Sequence, residues 1–217
     1  MSTGMSRASK PARLMEKASE ALQSGEYFEC IELASEALRG AHAGGDFSLM
    51  ARVLMPLEEA RRQVRLEAID SGNLVVVDSV EQLEGLEMAS GCYLFEPMLV
   101  GADGRAWRER AEREHVAVVV VVHEPETDSG DWPLVMVGPV TVRARVAPPD
   151  EVTLEWIVAA NEALGDEAIE ICQDARDERE QLDELYASLQ TLPDHDGLHQ
   201  ALHDVCESMM RQRADAS

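Results

Sequence analysis

At 217 residues the chain is long enough to bury a sizeable core and to form one or two domains. Its apolar fraction of 45% is that of a globular protein, while aromatics make up only 4%, so the core must be aliphatic. A net charge of −23 repels phosphate backbones and anionic lipid, which excludes nucleic acid and membrane as partners and leaves proteins, basic ones above all, with a homo-oligomer left open.

The charge is uneven. Residues 1–70 carry 9 basic and 11 acidic side chains, residues 71–149 carry 6 and 13, and residues 150–217 carry 4 and 18. Lys10 and Lys17 are the only lysines, which removes lysine-based phosphate binding and Schiff-base chemistry from most of the chain. Cys30, Cys92, Cys172 and Cys206 are far apart and form no CxxC pair. The N-terminal MSTGMSRASKPAR has no apolar core of a secretory signal. Reduced thiols and a cytoplasmic location are expected on both grounds.

Residues 1–10 are small and polar and are expected to be disordered. From Pro11 a helical hairpin is expected. Leu14, Ala18, Ala21 and Leu22 make one apolar stripe, Ser24-Gly25-Glu26 the turn, and Ile31, Ala34, Ala37 and Leu38 the facing stripe. Residues 11–40 resemble a tetratricopeptide repeat. Ala18, Gly25, Tyr27, Ile31, Ala37 and Leu38 fit its small residue, turn glycine, aromatic and second-helix positions, while Cys30 and Ala34 depart from it. The resemblance implies a partner peptide held in a concave groove. Repeats of this kind stack on neighbours, so a single one must dock on another part of the chain. The whole chain also resembles bacterial proteins with such a start, which supplies no activity.

A third helical stretch, Asp46 to about Ala68, contains Pro56, where either the helix kinks or a second helix begins. Arg52, Arg61, Arg62 and Arg65 make it the most basic part of the chain, and pairing with the acidic C-terminal helices is expected. Asp70-Ser71-Gly72-Asn73 marks a boundary.

Strand, helix and strand signals then alternate: Leu74–Val77, a helix from Ser79 to about Ala89, Cys92–Phe95, a helix Gly104–His115 capped by Asp103, and Val116–Val122. The run VAVVVVV reads as a strand buried on both faces, the centre of the fold. Leu134–Val137 and Val140–Val146 flank Gly138-Pro139 as a hairpin. The last strand alternates, with Arg143 and Arg145 on its polar side, where they either bind a carboxylate or keep an edge from aggregating.

After the linker Ala147–Asp150 the chain is helical, with Gly165 expected to end one helix and a long helix expected from Asp166 to Leu189. Ala168, Cys172, Ala175, Arg179, Leu182, Tyr186 and Leu189 form its packing seam. The last helix, Asp196–Met210, is expected to fray from Arg211. The fold class is α/β: a small, mostly parallel central sheet with an added hairpin, flanked by tetratricopeptide-like N-terminal helices and antiparallel C-terminal helices. The segments are 1–10, 11–70, 71–149 and 150–217.

Two constellations could carry chemistry. In open parallel sheets ligands bind beyond the carboxyl ends of strands, where Asp78, Glu96, His123 and Glu124 stand. Two carboxylates and an imidazole suit a divalent metal or acid–base work. The alternative is that solvated strand ends are simply polar. His195, His199 and His203 at i, i+4, i+8, with Cys206 three further on, put His199, His203 and Cys206 on one helix flank, a candidate metal site. The alternative is that these histidines pack at the edge of the apolar stripe. There is no GxxxxGK[ST], no GxGxxG after a strand and no GxSxG. No cofactor is named by the sequence. The reading is a non-catalytic interaction or adaptor protein. The competing one is a small-molecule or metal-binding α/β domain, an enzyme among the options, with its site at the strand ends.

Overall fold

Three helices open the described chain: α1 (Lys10–Gln23), α2 (Tyr27–Gly44) and α3 (Phe47–Asp70). The structure is a computed structural model that describes residues 9–125 and 130–215. Of the stretch expected to be disordered, residues 1–8 lie outside the described residues, while Ser9 and Lys10 are ordered. The Ser9 hydroxyl accepts from the Ala12 N–H at 3.3 Å, and Lys10 begins the helix. α1 and α2 pair through small residues. Ala18 and Ala21 are buried on α1, and Ala34, Ala37 and Ala41 on α2. A Cβ on Gly40 would stand 2.7 Å from the Pro11 ring, so a bare backbone there lets the hairpin close. α3 runs through Pro56 as one helix, so no second helix begins there.

The described residues divide into two compact units: residues 1–61 with 203–217, and residues 62–202. The helices between Leu154 and Thr191 contact the sheet, and the end of the last helix groups with the first unit. In the first unit Met50, Val53, Leu54, Leu57 and Ala60 of α3 are buried. The tail of α8 (Asp196–Asp215) is helical beyond the residue where fraying was expected. The reason is Arg213: its guanidinium lies 4.3 Å over the Phe47 ring and donates to the Gly45 carbonyl.

The second unit holds a five-stranded sheet: β1 (Leu74–Val77), β2 (Gly91–Phe95), β3 (Val118–His123), β4 (Trp132–Val137) and β5 (Thr141–Val146), in that spatial order, with β3 central. β1, β2 and β3 are parallel, while β3–β4 and β4–β5 are antiparallel. The sheet is therefore mixed, half parallel by pairing, within an α/β fold. Every residue of β3 is buried, as its β-branched run requires.

α4 (Val80–Gly85) is shorter than expected because it buries nothing, and packing rather than propensity sustains a helix. α5 (Gly101–Arg113) begins earlier than expected. Asp103 does not stand before the helix. It sits in the first turn and accepts from the Val100 N–H at 2.8 Å. Gly101 and Gly104 let α5 settle on the sheet; a Cβ at Gly101 would reach 2.5 Å from Val137. Trp107 of α5 packs on Tyr93 and Phe95, with ring centroids 5.4 and 6.4 Å away.

α6 (Leu154–Gln173) covers the other face, where its Trp156 meets Trp132 edge-on at 5.5 Å. Gly165 does not end this helix. The break falls at residues 174–177, after which Asp177 caps α7 (Glu178–Thr191) by accepting from the Glu180 N–H. The seam from Ala168 to Leu189 is therefore divided between two helices. Among the described residues no helix is long and apolar enough to cross a membrane.

Candidate functional site

None of the described cavities is lined by more than one of the four strand-end residues. Asp78 is exposed just past β1, and its backbone N–H donates to the Gln82 side chain at 3.0 Å. Glu96 follows β2, half-buried, with its N–H on the Val77 carbonyl. Strand alternation sends His123 and Glu124 to opposite faces. His123 is 4% exposed and stacked on Trp132, with centroids 4.2 Å apart and planes 17° from parallel. Glu124 is gripped by Arg143, at 3.1 Å from Nε and 3.3 Å from the terminal nitrogen. Of the four, only Glu124 lines a described cavity, one of about 550 Å³ beside β5.

The histidines of the C-terminal helix are likewise spread. His195 lies before α8 rather than on it. His199 is buried, its Nε2 2.9 Å from the Pro193 carbonyl oxygen. His203 is half-buried with Nδ1 3.8 Å from Asp204. Burial pushes the Cys206 thiol up to about 12, so it carries no thiolate at neutral pH. No group of three or more His, Cys, Asp or Glu placed to hold a metal ion occurs among the described residues.

The polar side chains that do converge were not singled out in the sequence. The His195 Nδ1 accepts from the Leu198 N–H at 3.2 Å and so caps α8. A backbone N–H can only donate, so Nδ1 is unprotonated and the proton rests on Nε2. Nε2 points to Glu162 at 3.0 Å and to Asp166 at 3.6 Å. Arg65 joins Glu162 at 3.2 Å, Asp196 at 2.8 Å and the Asp194 carbonyl at 2.5 Å, and Arg62 adds a contact to Asp196 at 3.2 Å. The hydrogen bond from His195 holds the Glu162 carboxyl below the usual range, with Arg65 acting in the same direction against the cost of burial. A Cβ at Gly165 would overlap the His195 ring, which is why a glycine sits inside α6. The bonds of this network tie α3 and α6 to the start of α8. The one available signal was Pro193 two residues before His195, which marks a helix start and hence a capping position.

An open groove lies in the first unit. Met15, Ser19, Leu22 and Gln23 fall on one side of α1 at helical spacing, and Arg52, Met55 and Pro56 on one side of α3. Together they line an open groove of about 480 Å³. Met55 is 65% exposed there. Pro56 has no N–H for the Arg52 carbonyl one turn back, and its own carbonyl takes the Cys30 thiol from α2 at 3.5 Å. This ties α3 to α2.

No family model, curated protein or solved structure matches the chain. The groove offers the apolar Met15, Leu22, Met55 and Pro56 beside the polar Ser19, Gln23 and Arg52.

Proposed function

We propose that the protein is a non-catalytic interaction or adaptor protein of the cytoplasm that holds a partner protein through helical surfaces, chiefly the groove between α1 and α3. The observation that carries this reading is that groove: an open apolar channel with Met55 65% exposed at its wall. Large exposed apolar side chains beside a concavity mark interaction surfaces. The resemblance of residues 11–40 to a tetratricopeptide repeat supports it, since that family holds partner peptides in a concave groove. A partner segment would place apolar side chains between Met15, Leu22 and Met55. The net charge of −23 favours a basic partner and disfavours nucleic acid and anionic membrane.

Site-specific photocrosslinking in the native host tests this. A photoreactive phenylalanine at Met55 should give a discrete adduct with one protein. The same group at Val76, an exposed apolar residue of β1, should not. Leu22→Asp should abolish the Met55 adduct while leaving the melting temperature of the second unit unchanged. Indistinguishable adducts from the two positions would remove the groove from the argument.

A further inference from the structure

We propose that the outer edge of β5 is a docking site for an extended acidic segment of a partner protein, which adds a sixth strand to the sheet. This surface is independent of the groove between α1 and α3. β5 is the last strand in the sheet order, and among the described residues no strand pairs with its outer side.

The backbone of β5 is set for such an addition. The Glu124 N–H donates to the Pro133 carbonyl at 2.8 Å, so Pro133 turns its backbone toward β3. By alternation Trp132, Leu134 and Met136 turn theirs toward β5, where their partners are Val146, Ala144 and Val142. Thr141, Arg143 and Arg145 therefore present their N–H and C=O groups outward. An edge of this kind is a template for another strand.

The two sides of the edge differ, and the difference specifies the occupant. On the α5 side stand the exposed Arg143 and Arg145. Arg143 already holds Glu124, and Arg145 makes no described ion pair. A cavity of about 550 Å³ lies beside them. On the α6 side Val142 borders a groove of about 250 Å³ with Ala168, Ile171 and Cys172, rimmed by Glu184, and Ile171 is 55% exposed. Glu167 lines the cavity beside the arginines, together with Glu124. An incoming strand alternates its side chains between these two environments. Carboxylates belong beside Arg145, which no described ion pair engages, and apolar residues beside Val142 and Ile171, where Glu184 repels acid. The fitting segment thus alternates acidic and apolar residues.

A second copy is a poor occupant. The antiparallel register that engages all three outward residues sets the two Arg143 side chains opposite one another, and directly opposed like charges destabilise a strand pair.

The test uses the full chain and two labelled peptides of about nine residues, one alternating Glu with Val and the other Lys with Val. Fluorescence anisotropy should show the Glu peptide binding at least about tenfold more tightly, and more weakly as salt rises. Arg145→Glu should remove that preference. Arg145→Gln, the milder change, should weaken binding with the melting temperature unchanged. Hydrogen exchange should slow at the amides of Thr141, Arg143 and Arg145 on saturation, with those of Val142 and Ala144 unaffected because they already bond β4. Equal affinity for both peptides, or no slowing at the three outward amides, overturns the proposal. So does a dimer in native mass spectrometry in which those amides are protected without any peptide.

Discussion

Gly104 in α5 and Gly165 in α6 serve helices on opposite faces of one sheet, and both stand where a Cβ has no room. Their neighbours differ. Beneath Gly104 lie the methyl groups of Val120 and Val122, an aliphatic surface that can shift by rotamer. Beneath Gly165 lies the His195 ring, whose nitrogens cap α8 and bond Glu162. One backbone device thus seats a helix on an apolar layer and also admits a directional polar group into a helix–helix contact. The apolar contact is plastic. The polar one has a single acceptable geometry, because moving the ring breaks two hydrogen bonds together.

Gly165→Ala should have the largest effect and should break the polar side of this pairing. Displacing the ring combines overpacking with loss of the cap, about 3 kcal/mol in all, readable by urea unfolding. In a His195→Ala background the same change should be neutral or favourable by up to ~1 kcal/mol, because alanine is the better helix former. Additive costs in the double-mutant cycle would show that the ring does not explain the glycine. Gly104→Ala should cost less, about 1.5 kcal/mol, since Val122 can give way and helix propensity offsets part of the clash.

The pH dependence sharpens the comparison. Glu162 is held below its ordinary value of 4.5, so its contribution is whole at neutral pH and is lost as pH falls from that value through its folded one. Glu162→Gln should therefore lower stability by roughly 0.5 kcal/mol at pH 7, a figure already reduced for its partial exposure, with the gap closing in acid. A gap that widens in acid would contradict the sign. Smallest of all should be Arg105→Ala, which removes an exposed i, i+4 pair with Glu109 and should stay within ~0.5 kcal/mol.

The sheet was legible in the sequence because strands bury in period with their residues. The unbroken valines gave the central strand, and the alternation from Val140 gave the half-exposed last one. Gly165 was misleading, because the local mark of a helix stop and that of a close approach are the same residue, and only the distant His195 tells them apart. The arginines of α3 were expected to meet acidic helices, and Arg62 and Arg65 do. Their partners Glu162 and Asp196 lie 97 to 134 residues away, a pairing that no local pattern encodes. The rule for open parallel sheets points to the strand ends. The antiparallel β4 and β5 bring Arg143 to Glu124 there instead.

The four cysteines have a practical consequence. All are buried and free, and burial raises their thiol pKa values, to about 11 for Cys30 and Cys92. A thiol that is both covered and protonated reacts with maleimides and disulfide reagents only after its surroundings open. Cys30 and Cys206 belong to one compact unit, and Cys92 and Cys172 to the other. The unmodified chain therefore carries its own pair of clocks: labelling followed by peptide mapping reads how often each unit opens, without any engineered probe.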